Sequence, residues 1–183
     1  MKYITPNLTT ARLVLKRGTL EDFQRVYEYD FRKLRDICGE CEYEKLDPEM
    51  LEGFDLYADE EDVLNWIVFL KDTMTPIGDI VADRIDPELN AIEIAYNLHP
   101  DYWGQGYMPE AVRETMRYLF NLGFDNIVCA YDEGNVKSKR VIEKLGFKLY
   151  KTVPNSWVKN GTPISSYNYI ISKMEFEEIR GFC

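Results

Sequence analysis

The sequence has 183 residues, 45% apolar and 30% charged, a globular mixture long enough for one domain with its own core and short for two. Its formal net charge of −10 argues against nucleic acid as a ligand, because phosphate contacts need a basic surface; a cationic partner such as an amine is compatible with it. Met1 opens no apolar leader and no run approaches the length of a membrane span, so the expectation is a single cytoplasmic domain over residues 1–183 with no membrane partner, either monomer or homodimer.

Taken in order, Ala11 to Lys16 alternates and predicts a first strand. Thr19-Leu20-Glu21-Asp22 has the form of a capping box opening a helix, with Phe23, Val26 and Tyr27 on one face. A second helix is expected from Arg32 to Cys38, closed by Gly39. Cys41 to Asp62 is acidic and weakly patterned, and reads as a connector or as a lid. Val63 to Leu70, Ile77 to Ile85 and Ala91 to Leu98 read as strands joined by the turns Asp72–Pro76 and Asp86–Asn90, an antiparallel meander. Beyond the Trp103–Met108 stretch comes a helix with Val112, Met116, Leu119 and Phe120 at helical spacing. Asn126 to Tyr131 follows as a strand able to lie parallel to Ala91–Leu98 through a right-handed crossover. Asn135 then caps a helix with Val141, Ile142 and Leu145 on its apolar face, ended by Gly146. Lys148 to Val158 and Ile164 to Ile171 are the last strands, and Lys173 to Arg180 a last short helix. Cys38-x-x-Cys41 has metal-like spacing, but no second pair or His cluster completes a ligand set, so no metal is expected. Cys129 lies in an apolar strand and reads as packing.

The chain is organised around His99-Pro100-Asp101-Tyr102-Trp103-Gly104-Gln105-Gly106-Tyr107-Met108-Pro109-Glu110. A strand, then a glycine loop, then a helix start forms an anion site: glycine lets successive N–H groups converge, and the helix N-terminus adds positive potential. The dinucleotide fingerprint lacks its third glycine here, and the P-loop pattern lacks its Lys followed by Ser or Thr. Trp103-Gly104-Gln105-Gly106-Tyr107-Met108 instead resembles the Gln/Arg-x-x-Gly-x-Gly/Ala motif of the GNAT superfamily of N-acetyltransferases. The wording Tyr-Trp-Gly-Gln-Gly-Tyr ahead of Pro-Glu-Ala is most similar to the branch that acetylates ribosomal-protein N-termini. Trp103 replaces Gln/Arg, as is ordinary in that branch, and Met108 replaces Gly or Ala. Asn135-x-x-Ser138, with a helix ending Glu143-Lys144-Leu145-Gly146-Phe147, resembles the family's second motif at the expected separation.

The resemblance covers about Ala11 to Met174 and implies an α/β (α+β) GNAT fold: a mixed, mostly antiparallel sheet of six to seven strands, splayed at the cofactor site and flanked by helices. It implies acetyl-CoA as donor and an amine as acceptor, either a small molecule or a protein N-terminus. Backbone amides of Trp103, Gly104, Gln105, Gly106, Tyr107 and Met108 are expected to cradle the pyrophosphate, with Asn97 and Leu98 presenting backbone groups to pantetheine and thioester. Asn135 is expected to contact the coenzyme, or to serve as a plain N-cap. Ser138 is expected to donate to the leaving thiolate, or to face solvent. Glu93 is the candidate base, acting through a water, or an exposed strand Glu. His99 is weighed as a base against a solvated loop residue. Lys137, Lys139 and Arg140 would meet the adenosine 3′-phosphate or form a solvated helix face. Met108 points either into the sheet–helix interface or into the donor cleft. Its spacing with Val112 and Met116 favours packing. A non-catalytic coenzyme A sensor of the same fold is the rival reading.

Overall fold

The computed structural model describes residues 3–29, 62–159 and 161–180. The strands are β1 (Leu8–Thr9), β2 (Leu13–Lys16), β3 (Leu64–Leu70), β4 (Pro76–Asp86), β5 (Ala91–Leu98), β6 (Asn126–Asp132), β7 (Lys148–Lys159) and β8 (Thr162–Ser172). The helices are α1 (Leu20–Val26), α2 (Tyr107–Leu122), α3 (Val136–Lys144) and α4 (Lys173–Arg180), with a 3-10 turn at Pro100–Tyr102. Among the described residues the sheet therefore has eight strands, ordered β1-β2-β3-β4-β5-β6-β8-β7, and not six to seven. The extra strand is β1, two residues pairing Leu8 with Leu15 and Thr9 with Val14, too short to show a period. The expected first strand starts two residues late, at Leu13. The expected helix Arg32–Cys38, the Cys38/Cys41 pair and nearly all of Cys41–Asp62 lie outside the described residues.

The chain divides into two compact units, Met1–Asp83 with Tyr96–Thr115, and Arg84–Ala95 with Met116–Cys183. In the first unit, β2, β3 and β4 form the antiparallel ladder, with Leu13↔Leu70 and Ile67↔Asp79 among its register pairs. Thr19 caps α1 with both arms of the capping box in place, its hydroxyl accepting from Asp22 N–H and the Asp22 carboxylate accepting from the Thr19 N–H. That short helix buries Phe23 and Val26 against Ile67 and Phe69, with Tyr27 packed at the edge. In the second unit, β5 pairs with β6 in parallel from Ala91↔Asn126 to Ile94↔Cys129, and both strands run on beyond that register. β6 pairs antiparallel with β8, and β8 with β7. Asn90, at φ +44°, ties the turn before β5 to the segment before β6, its amide donating to Gly123 O and to the Asp125 carboxylate. Phe120 and Phe176 meet with ring centroids 5.2 Å apart, holding α4.

Candidate active site

In the first unit the glycine loop follows β5 after the 3-10 turn. Trp103 Nε1 donates to Leu98 O at 2.7 Å, fixing the loop to the strand end. Gly104 and Gly106 have φ of +76° and +79°, values that favour glycine because they cost an L side chain strain. Among the described residues, the backbone N–H groups of Gly104, Gln105, Gly106, Tyr107 and Met108 have no hydrogen-bond acceptor. Five consecutive open amides at the start of a sixteen-residue helix are what an anion needs; the Trp103 N–H, expected to join them, instead donates to Pro100 O at 3.1 Å.

Met108 is 3% exposed. A Cβ built on Gly78 would stand 3.3 Å from its Cε and 2.5 Å from Asn97 O. Met108 therefore packs onto the glycine of β4, and Val112 and Met116 continue the same buried stripe. Gly78 also lets β4 pass close against the Asn97 end of β5.

Arg12, at the entrance to β2, holds the loop from outside. Its guanidinium pairs with Glu110 at 2.6 Å, donates to Gln105 O at 3.0 Å and lies 4.4 Å over the Tyr107 ring. Partial burial pushes the Glu110 carboxyl up, but hydrogen bonds from Thr10 and Arg12 outweigh it and hold the group below its ordinary range. Sequence reading missed this clamp, since its partners lie 93 and 98 residues away and an Arg opening a strand carries no local signal.

His99 is not a solvated loop residue. Its side chain is 13% exposed, Nδ1 accepts from Asp101 N–H at 3.2 Å, and its ring meets Tyr29 and Tyr102 edge-on. Asp79 of β4 was also missed. Its carboxylate accepts from Tyr27 O–H at 3.1 Å, and burial raises it to about 7 against the lowering effect of Tyr27 and Asn97. A charged residue inside the apolar run Ile77-Gly78-Asp79-Ile80 was the available signal.

In the second unit, Asn135 caps α3, its Oδ1 accepting from Ser138 N–H at 3.0 Å. Asn135 is exposed and Ser138 half-buried. Glu93 is half-buried, turned away from the buried Ile92 and Ile94, and its carboxylate is engaged by the Arg84 guanidinium at 3.1 Å. Cys129 is buried; burial first, then the Glu93 charge, pushes its thiol up, which unfits it as a nucleophile. Lys139 pairs with Glu143 at 3.7 Å on α3. Trp157 is exposed, and Tyr167 stacks on Tyr131 at 5.1 Å. Among the described residues no His, Cys, Asp and Glu side chains gather into a metal site, and no helix is long and apolar enough to cross a membrane.

The family profile described as "Acetyltransferase (GNAT) domain" matches residues 12–148. The uncharacterized N-acetyltransferase YoaA of Bacillus subtilis is 26% identical over 172 residues, covering 92% of this chain and 97% of that protein. Among solved structures, the ribosomal-protein-S5-alanine acetyltransferase of Vibrio fischeri is similar with a TM-score of 0.72 and 18% identity, over 93% of this chain and 98% of that one. The microcin C7 self-immunity acetyltransferase MccE, solved with acetyl-CoA and AMP, is similar with a TM-score of 0.73 and 15% identity, over 89% and 93% of the two chains.

Proposed function

The chain belongs to the GNAT family of acetyltransferases, and we propose that it moves an acetyl group from acetyl-CoA to a primary amine, small molecule or protein N-terminus, by direct attack with both substrates bound. The observation that carries this is the run of open amides from Gly104 to Met108 at the head of α2. Open amides at a helix start suit a pyrophosphate, and the MccE structure supports acetyl-CoA as the donor that a fold of this kind takes. When bound, acetyl-CoA supplies an activated acyl thioester. Gly104 to Met108 would hold its pyrophosphate, with Trp103 tying the loop to the strand end, backbone groups of Asn97 and Leu98 its thioester end, and Asn135 a further part of the coenzyme. The buried Cys129 supplies no thiolate for a covalent route, which supports direct attack.

Ser138 is the group we assign to the departing sulfur, as a hydroxyl donor. Glu93 is assigned to the acceptor side. Arg84 already engages its carboxylate. The similarity to a ribosomal-protein-alanine acetyltransferase favours a protein N-terminus among acceptors, and we place the whole chain in the cytoplasm as one catalytic domain. Free-thiol release from acetyl-CoA, followed with a panel of alkylamines and Ala- or Ser-initiated peptides, tests the reading. Amine-dependent release is expected; coenzyme binding without release from any amine would instead make the chain a non-catalytic sensor.

A further inference from the structure

We propose that Asp79, seated by Tyr27 beside the Asn97 end of β5, is the base that takes the proton of the acceptor amine. The proposal rests on the reading of Asn97 and Leu98 as the strand end that meets the thioester. Among the described residues Asp79 is the only charged side chain that is buried, at 7% exposure. No cation among them pairs with it; the groups that face it are the Tyr27 phenol, from the end of α1, and the Asn97 amide, from β5. Burying a carboxylate without a cation is costly, and a position that served packing alone would be better filled by an apolar residue.

The neighbouring polar group is underfilled as well. The Asn97 amide lies close enough to Asp79 to lower its pKa as a hydrogen-bond donor would, but among the described residues its buried Nδ2 makes no hydrogen bond of full geometry. A carboxylate beside a donor that only loosely meets it leaves hydrogen-bonding capacity that a polar ligand group can take up. The position is also close to the proposed chemistry, because Gly78 brings β4 against Asn97 O. From Tyr27 a run of aromatic rings reaches the glycine loop: Tyr29, His99, Tyr102 and Tyr107 follow at centroid separations of 6.3, 5.2, 5.6 and 6.3 Å.

In the step itself an N–H bond of the ammonium breaks, its proton passes to an Asp79 carboxylate oxygen, and the electron pair stays on nitrogen, ready to form the amide bond. The second proton, released as nitrogen bonds to the acyl carbon and the carbon–sulfur bond breaks, goes to the sulfur. Asp79 returns the first to solvent, so each turnover yields amide, free thiol and one proton. A carboxyl held near neutrality by burial is matched to this task.

The test compares the wild type with Asp79→Asn, Glu93→Gln and Tyr27→Phe. Acceptors are ethylamine and its mono-, di- and trifluoro analogues, whose basicity falls at nearly constant size. The Asn amide oxygen still accepts from Tyr27, so Asp79→Asn is expected to fold and to keep the rise in Tm on adding acetyl-CoA. Its kcat/KM for ethylamine should fall about 100-fold or more, and the defect should shrink steadily toward trifluoroethylamine, which is already neutral. Tyr27→Phe removes the donor to the carboxylate and should move the acidic limb of the pH profile upward. Asp79→Asn turnover within threefold of wild type, or a defect equal for all four amines, would overturn the assignment, the second marking a structural role. A larger, basicity-dependent defect in Glu93→Gln would transfer the role to Glu93. Wild type without thiol release from any amine would sink the transferase reading itself, and this proposal with it.

Discussion

Asp79 couples the proposed chemistry to stability, and the sign of the coupling follows from its environment. Burial raises its pKa in the fold to about 7, against about 4 in the unfolded chain. As pH rises the unfolded chain loses this proton first, so between about 4 and 7 the native state binds more protons and stability falls. Below that window the group costs nothing; above it the whole penalty is present. Asp79→Asn cannot ionise and should lose this slope. Urea denaturation at pH 5 and pH 8 is expected to show wild type losing stability across the interval relative to the variant, by an amount on the order of a few kcal/mol. Glu110 and Glu175, both held low by their partners, act in the opposite sense and at lower pH, so comparison with the variant isolates Asp79. Parallel pH dependence in the two proteins would show that the carboxyl ionises as freely in the fold as outside it.

At the scale of elements, α2 is the one whose first turn, on the proposed function, must both bind and pack. Met108 settles on the packing side of that division: its side chain is buried, with its Cε close to Gly78, while its backbone N–H is one of the five open amides. Met108→Ala should therefore cost about 2–5 kcal/mol of stability and leave acetyl-CoA affinity nearly unchanged. Both are read from one ligand titration followed by melting. Tighter binding with unchanged Tm would place the side chain in the donor's path. The elements also divide what the sequence made legible. Caps and patterned runs are local, so the Thr19 capping box, the Asn135 cap, α2 and β5 were all readable from neighbours within a few residues. β1 was not, because two residues show no alternation, and it exists through pairing with β2. The Arg12 clamp and the Asp79–Tyr27 contact were equally invisible as contacts, since they join residues 98 and 52 apart. The backbone turn of the glycine loop was readable because positive φ is a local demand, which Gly104 and Gly106 declare. The environments of Glu93 and Ser138 depend on what packs beside them, and their residue types declare less.

The whole chain carries a formal charge of −10 and, on the proposed function, binds a donor with three phosphate groups and an acceptor that arrives as a cation. The long-range field of the protein therefore opposes one substrate and favours the other. The local counterweight on the donor side is weak. The loop offers neutral amides, the Arg12 charge beside it is already matched by Glu110, and Lys139 of the short basic run is paired with Glu143. Salt screens both effects, with a Debye length of about 10 Å at 0.1 M. Raising NaCl from low to physiological levels should leave acetyl-CoA affinity unchanged or improve it, while KM for an alkylamine rises. A polyanion held by a cluster of basic side chains would behave oppositely, losing affinity steeply as its counterions are no longer released into dilute solution. Isothermal titration of acetyl-CoA across a salt series, beside steady-state KM values for ethylamine in the same buffers, measures both slopes. A donor affinity that falls several-fold with salt would return the 3′-phosphate to Lys137, Lys139 and Arg140, and would make side-chain charge rather than the backbone cradle the main source of donor binding.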